Sequence, residues 1–131
     1  DGTDYIELIC LDSKICPELV EAIIEKESSW DPTAVNGDCV GLMQVDQIIH
    51  WRRAQELNCL DLMDPYDNIR VGVSILEDLA ERYEDPAAAL MFYNAGYSDK
   101  LGIRAYENGV ISSYAREILE RAAELERLHG K

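Results

Sequence analysis

The sequence predicts an all-α domain, and three observations carry that expectation. Apolar residues recur at spacings of three and four along most of the chain. No segment alternates apolar and polar with the period of two that a half-buried strand needs. Pro, Asp and Ser stand where those periodic stretches should begin as helices. With 131 residues, 47% of them hydrophobic and no low-complexity tract, residues 1–131 read as one domain with a real core, without repeat or linker.

Residues 5–11 carry Tyr5, Ile6, Leu8, Ile9 and Leu11, a short amphipathic helix closed by Asp12 and Ser13. Pro17 then occupies a first helical position, with Glu18 and Glu21 in the opening turn. Leu19, Val20, Ile23 and Ile24 form the inner face of this second helix, and Glu18, Glu21 and Glu25 are expected to point away. Glu27 follows Ile23 by four residues and Val20 by seven, which places a carboxylate on the apolar face. Residues 28–41 are too rich in Asn, Asp, Gly and Pro for regular structure and read as a polar loop.

Residues 48–57 read as a helix with a basic spot at Arg52 and Arg53, followed by a turn region containing Asp64-Pro65. From Asn68 the stripe Ile69, Gly72, Val73, Leu76, Leu79, Ala80 and Tyr83 is helical. Asp85-Pro86 ends that helix and caps the next, residues 87–95, which is apolar nearly all round and is terminated by Gly96. Residues 97–109 are turn-rich and are expected to line a surface opening. Ser112 or Ser113 caps a last helix with an inner face of Tyr114, Ala115, Ile118, Ala122 and Leu125.

Charge narrows the partners. Twelve basic against 26 acidic residues give −14, which would repel a nucleic-acid backbone. Most of these charges read as a solvated, solubilising shell. The longest apolar run, residues 87–93, is too short to span a bilayer. No basic leader followed by an apolar segment opens the chain, so it reads as a mature or excised domain. The four cysteines, Cys10, Cys16, Cys39 and Cys59, include no C-x-x-C pair, so no metal site is expected. One or two disulfides of an exported protein are expected, with a Cys39–Cys59 bridge one way to pin the loop; four reduced thiols are the alternative.

The candidate chemistry begins at Glu27. Desolvation disfavours the charged form of a glutamate held against an apolar wall, so such a group can act as a general acid. The plain alternative is a helix-end glutamate that reaches into solvent. Tyr93 and Asn94 at the end of the buried helix can orient an acid and hydrogen-bond a sugar amide, or simply pack and terminate the helix. Gln44, after Gly41-Leu42-Met43, can contact substrate or satisfy loop backbone.

Taken in order, Glu27-Ser28-Ser29, Gly41-Leu42-Met43-Gln44, Tyr93-Asn94-Ala95-Gly96 and Tyr114 resemble the soluble lytic transglycosylase catalytic domain. Asp64-Pro65 with Asn68, Ile69 and Gly72 is similar to that family's D-P-x-x-N-I-x-x-G segment. The resemblance runs from about Pro17 to Arg121 and extends to goose-type lysozymes. It implies a lysozyme-like helical domain with a substrate groove. It implies a peptidoglycan-cleaving enzyme that cuts the β-1,4 bond between N-acetylmuramic acid and N-acetylglucosamine and leaves 1,6-anhydromuramyl ends. Glu27 matches the family's acid and base, while Ser28, Met43, Gln44, Tyr93 and Asn94 match groove-lining positions. Tyr114 matches a tyrosine near the acid. No cofactor is implied. The partner would be peptidoglycan glycan strands, met by a monomer in the extracellular space or cell envelope.

Two departures keep a hydrolase in view. Asp46-Gln47 follows G-L-M-Q-V where transglycosylases usually carry a Met-Pro pair, and Phe92 replaces a common Ala. Inverting hydrolysis needs a second carboxylate about 6.5–9.5 Å from the first. By position Asp46 and Asp38 are the candidates, and backbone capping is the more ordinary reading for Asp38. A catalytically silent glycan-binding or assembly module is the rival from another class.

Overall fold

In the computed structural model the described residues are 2–95 and 107–131. They form α1 (Gly2–Cys10), α2 (Pro17–Ser28), β1 (Val35–Asn36), β2 (Cys39–Val40), β3 (Val45–Asp46), α3 (Trp51–Glu56), α4 (Pro65–Arg82), α5 (Pro86–Ala95) and α6 (Ser113–Leu128). The mostly helical expectation holds, with a small sheet added. The chain resolves into two compact units, Asp1–Ser74 and Ile75–Lys131.

In the first unit α1 packs on α2. It starts earlier than its apolar pattern suggests and buries Ile6 and Cys10, one turn apart, while Leu8 and Leu11 stay exposed. Helix α2 opens on Pro17 as expected and buries Val20, Ile23 and Ile24. The expectation for its glutamates is corrected. Glu18 is 1% exposed and Glu21 is buried too, because α2 is covered on more of its circumference than one apolar stripe implies. Ser29 ends the helix in the left-handed region, its N–H donating to Glu25 O at 3.1 Å.

The sheet is the element that periodicity misses. Its strands are two residues long, too short to show alternation. β1 pairs antiparallel with β2 around the two-residue loop of Gly37 and Asp38, and β2 pairs antiparallel with β3. Val35, Val40 and Val45 are register partners and share one face; Asn36, Cys39 and Asp46 share the other. The expected disulfides are not formed: none of the four cysteines is bridged to another. The register explains the missing Cys39–Cys59 bridge. Cys59 lines a pocket with Val40, whereas Cys39 projects from the opposite face.

α4 begins at Pro65, three residues before the apolar stripe, because Asp64 caps it: Asp64 Oδ2 accepts from Asp67 N–H at 3.0 Å. In the second unit Asp85 Oδ1 accepts from Ala87 N–H at 3.0 Å, and Ser112 Oγ accepts from Ala115 N–H at 3.2 Å, as the caps predict. α5 packs on α6, burying Ala87, Leu90 and Phe92 along with Tyr114, Ala115, Ile118, Ala122 and Leu125. The Tyr83 and Phe92 rings stack, with centroids 4.2 Å apart. The expected Gly96 cap and most of the turn-rich opening, residues 97–106, lie outside the described residues. No helix among the described residues is long and apolar enough to cross a membrane.

Candidate active site

Glu27 lies in the last turn of α2 and is half-buried. Directly after it the backbone turns left-handed at Ser29 (φ 52°) and Trp30 (φ 65°), and the loop closes with Gln44 at φ 51°. Each such non-glycine residue costs about 1–3 kcal/mol, so contacts elsewhere must hold the loop in place.

Those contacts converge on Asn68, an almost fully buried side chain on α4. Its Oδ1 accepts from Met43 N–H at 2.8 Å, and its Nδ2 donates to Val40 O at 2.9 Å and to Leu62 O at 2.8 Å. Gly41 sits over this amide with φ +79°, and a Cβ there would collide with Asn68 Nδ2 and come within 2.5 Å of Leu62 O. One turn after Asn68, Gly72 makes room for Met43; a Cβ on it would strike the Met43 sulfur. The G-L-M-Q and N-I-x-x-G segments are thus two halves of one lock.

The individual side chains divide by what they touch. Met43 is fully buried, so its side chain anchors the loop against α4 and offers no surface to a ligand. Gln44 Nε2 donates to Ala34 O at 3.1 Å and Gly41 O at 3.0 Å, and its Oε1 accepts from Asn36 Nδ2 at 3.0 Å. Its amide is engaged within the loop, the second of the two roles open to it. Ser28 Oγ–H faces two carbonyls, Leu42 O at 2.8 Å and Ile24 O at 3.2 Å, and ties the end of α2 to the loop. Asp31 Oδ1 accepts from both the N–H and the hydroxyl of Thr33 at 2.9 Å, which holds its carboxyl below the usual carboxylate range.

The carboxylates gather around Cys39. Burial pushes the Cys39 thiol up, and the negative charges of Asp46, Glu27 and Asp38 push it further. One sulfur therefore senses all three candidate carboxylates. Asp46 is not idle there: its Oδ1 accepts from Ile48 N–H at 2.9 Å and Ile49 N–H at 3.0 Å, capping the turn before α3. Backbone capping, expected rather for Asp38, falls to Asp46. Asp38 is exposed in the hairpin loop, with its backbone carbonyl accepting from Gln47 N–H at 2.9 Å.

Sequence reasoning passed over Asn36, which shares the polar hairpin face with Cys39 and Asp46. The Asn36-Gly37 dipeptide, a hairpin signal, was the available clue. In the second unit Tyr93 is half-buried and Asn94 exposed on α5, and Tyr114 is buried at the start of α6.

The Transglycosylase SLT domain matches residues 4–111. The chain belongs to the transglycosylase SLT family. As an SLT domain it has the mostly helical fold of a solved lytic transglycosylase. Invasion protein IagB of Salmonella typhi is 32% identical over 122 residues, covering 87% of this chain and 72% of that protein. Membrane-bound lytic murein transglycosylase F of Desulfosudis oleivorans is 36% identical over 88 residues, covering 61% of this chain and 18% of that one. The crystal structure of the 70 kDa soluble lytic transglycosylase of Escherichia coli superposes with a TM-score of 0.80 at 19% identity, over 98% of this chain and 24% of that one. The SLT chain thus spans about a quarter of that structural relative's length.

Proposed function

We propose that this SLT domain, acting as a single catalytic domain and a monomer at the cell envelope or outside the cell, cleaves glycan strands with Glu27 as its acid and base. Glu27 protonates the glycosidic oxygen between N-acetylmuramic acid and N-acetylglucosamine, and the bond from that oxygen to the muramyl C1 breaks. The resulting carboxylate then takes the proton of the muramyl 6-hydroxyl as its oxygen bonds to C1. The product is a 1,6-anhydromuramyl end, and no water is consumed.

The observation that carries this reading is the position of Glu27 at the negative end of the α2 dipole, within electrostatic reach of the thiol that also senses Asp38 and Asp46. Asn36 offers an amide on the hairpin face that also carries Asp46. Tyr93, Asn94 and Tyr114 are assigned to sugar binding and acid orientation by their family positions. Ser28, Met43 and Gln44 serve by shaping the loop. The Asp46 bonds to Ile48 and Ile49 favour transglycosylation, since a carboxylate holding two backbone amides is poorly disposed to activate water.

Glu27→Gln should lower the rate of wall lysis by about 10²–10⁴ while leaving the melting temperature in place. Lysis near the parent rate in that variant would overturn the assignment. Mass spectrometry of digested peptidoglycan separates the chemistries: anhydro ends support the reading, and reducing ends, heavier by one water, would transfer it to a hydrolase using Asp46.

A further inference from the structure

A pocket of about 520 Å³ opens on the apolar face of the hairpin, within the first unit and opposite the face that carries Cys39 and Asp46. Val35, Val40, Trp51, Leu60 and Met63 supply its apolar wall. Gln47, Gln55 and Asp61 supply its polar groups, and no cation is among its lining residues. We propose that this pocket is a second saccharide site, which takes an N-acetylhexosamine ring of a glycan strand.

The volume is in the range of small-ligand pockets, roughly 300–1,000 Å³. Its aromatic element is presented to solvent: Trp51 is 51% exposed, and the Arg52 guanidinium lies 5.4 Å from its ring centroid, which helps to fix the indole. A pyranose ring has the matching chemistry, with C–H bonds on one face for the indole and hydroxyl and acetamide groups at its edge for amides. Asp61 Oδ1 accepts from Met63 N–H at 3.0 Å, which orients that carboxylate at the pocket edge. Gln47 and Gln55 make no side-chain hydrogen bond among the described residues, so their amides stand ready for a ligand.

Charge chooses between the two parts of peptidoglycan. A stem peptide carries free carboxylates, which Asp61 and a net charge of −14 would repel, whereas an N-acetylglucosamine unit is neutral. Sitting on the reverse face of the same hairpin, an occupied pocket would hold a strand on the enzyme independently of the cleavage site. The choice of sugar rests on the reading that glycan is the substrate; the pocket itself does not depend on Glu27.

The test is a titration of isotope-labelled Glu27→Gln protein with tetra-N-acetylchitotetraose, followed by nuclear magnetic resonance. The Trp51 indole signal is identified with Trp51→Phe. Saturable shifts of the Trp51 indole and the Met63 methyl are expected. Trp51→Ala should weaken the response of the Met63 methyl about tenfold, and Gln55→Leu should weaken it by a smaller factor. Shifts confined to the hairpin's polar face and the end of α2 would overturn the proposal. A response to the free stem tetrapeptide with none to the oligosaccharide would overturn it as well and make the pocket a peptide site. Because the titration reads binding and not cleavage, its failure leaves the role of Glu27 standing, and a failed Glu27→Gln lysis assay leaves the pocket standing.

Discussion

The loop of residues 29–44 and the α5–α6 pair are stabilised by different physics. The loop has three left-handed non-glycine residues and is held by side-chain amides, Asn68 above all, that reach backbone groups up to 28 residues away. The helix pair is held by a continuous apolar face, with side-chain caps at the start of each helix. Hydrogen bonds with fixed partners specify one geometry and fail sharply when a partner is lost. Apolar packing specifies volume and pattern and tolerates substitution of like for like. The candidate acid adjoins the first kind of structure, which is where a reacting group must be held within fractions of an ångström.

The largest effect should follow from Asn68→Leu, which keeps the volume but leaves the Met43 N–H and the Val40 and Leu62 carbonyls buried without their partner. About 1–3 kcal/mol for each stranded group predicts a loss of several kcal/mol, measured by denaturant melting, with lysis falling further than the folded fraction explains. Gly41→Ala is next. It meets both a strained φ and the Asn68 amide, so a loss of about 2 kcal/mol or more is expected, with the melting temperature as readout.

Leu90→Met is the counterpart in the helix pair. Leu90 is 1% exposed, yet a volume-conserving apolar swap there should cost under about 1.5 kcal/mol and spare lysis. If Asn68→Leu proved as mild as Leu90→Met, the contrast between the two regions would be broken.

The smallest effect is a rate. Cys39 should be alkylated slowly at neutral pH, because its raised pKa keeps it as the thiol. Removing a negative charge lowers that pKa, so Asp46→Asn and Glu27→Gln should each speed alkylation by iodoacetamide a few-fold, read by peptide mass spectrometry. Unchanged rates in both variants would deny that these carboxylates share one neighbourhood.

Much of this is legible in the sequence. Pro17, Asp85 and Ser112 announce helix starts through local rules, and the five inner positions of α6 follow from spacing alone. The four ordered motifs identify the family, and Glu27 as the candidate acid follows from its place after Ile23 and from the resemblance. Other features were hidden for a physical reason. Two-residue strands carry no periodicity, so the hairpin and its polar face could not be read, nor could Asn36 as a neighbour of Gln44. Glu18 looks like a solvent-facing residue until the elements around α2 bury it.

The sequence by itself determined most of the helices, the caps at Asp85 and Ser112, the family and the candidate acid, because those rest on neighbours three or four residues apart or on motifs in order. Only tertiary structure decided what Met43, Gln44 and Asp46 do. Their partners are Gly72 and Asn68 on α4, Asn36 across the loop, and the turn of Ile48 and Ile49. A polar or apolar side chain in a loop has no preference of its own between ligand and backbone; the partner that folding brings within reach makes that choice.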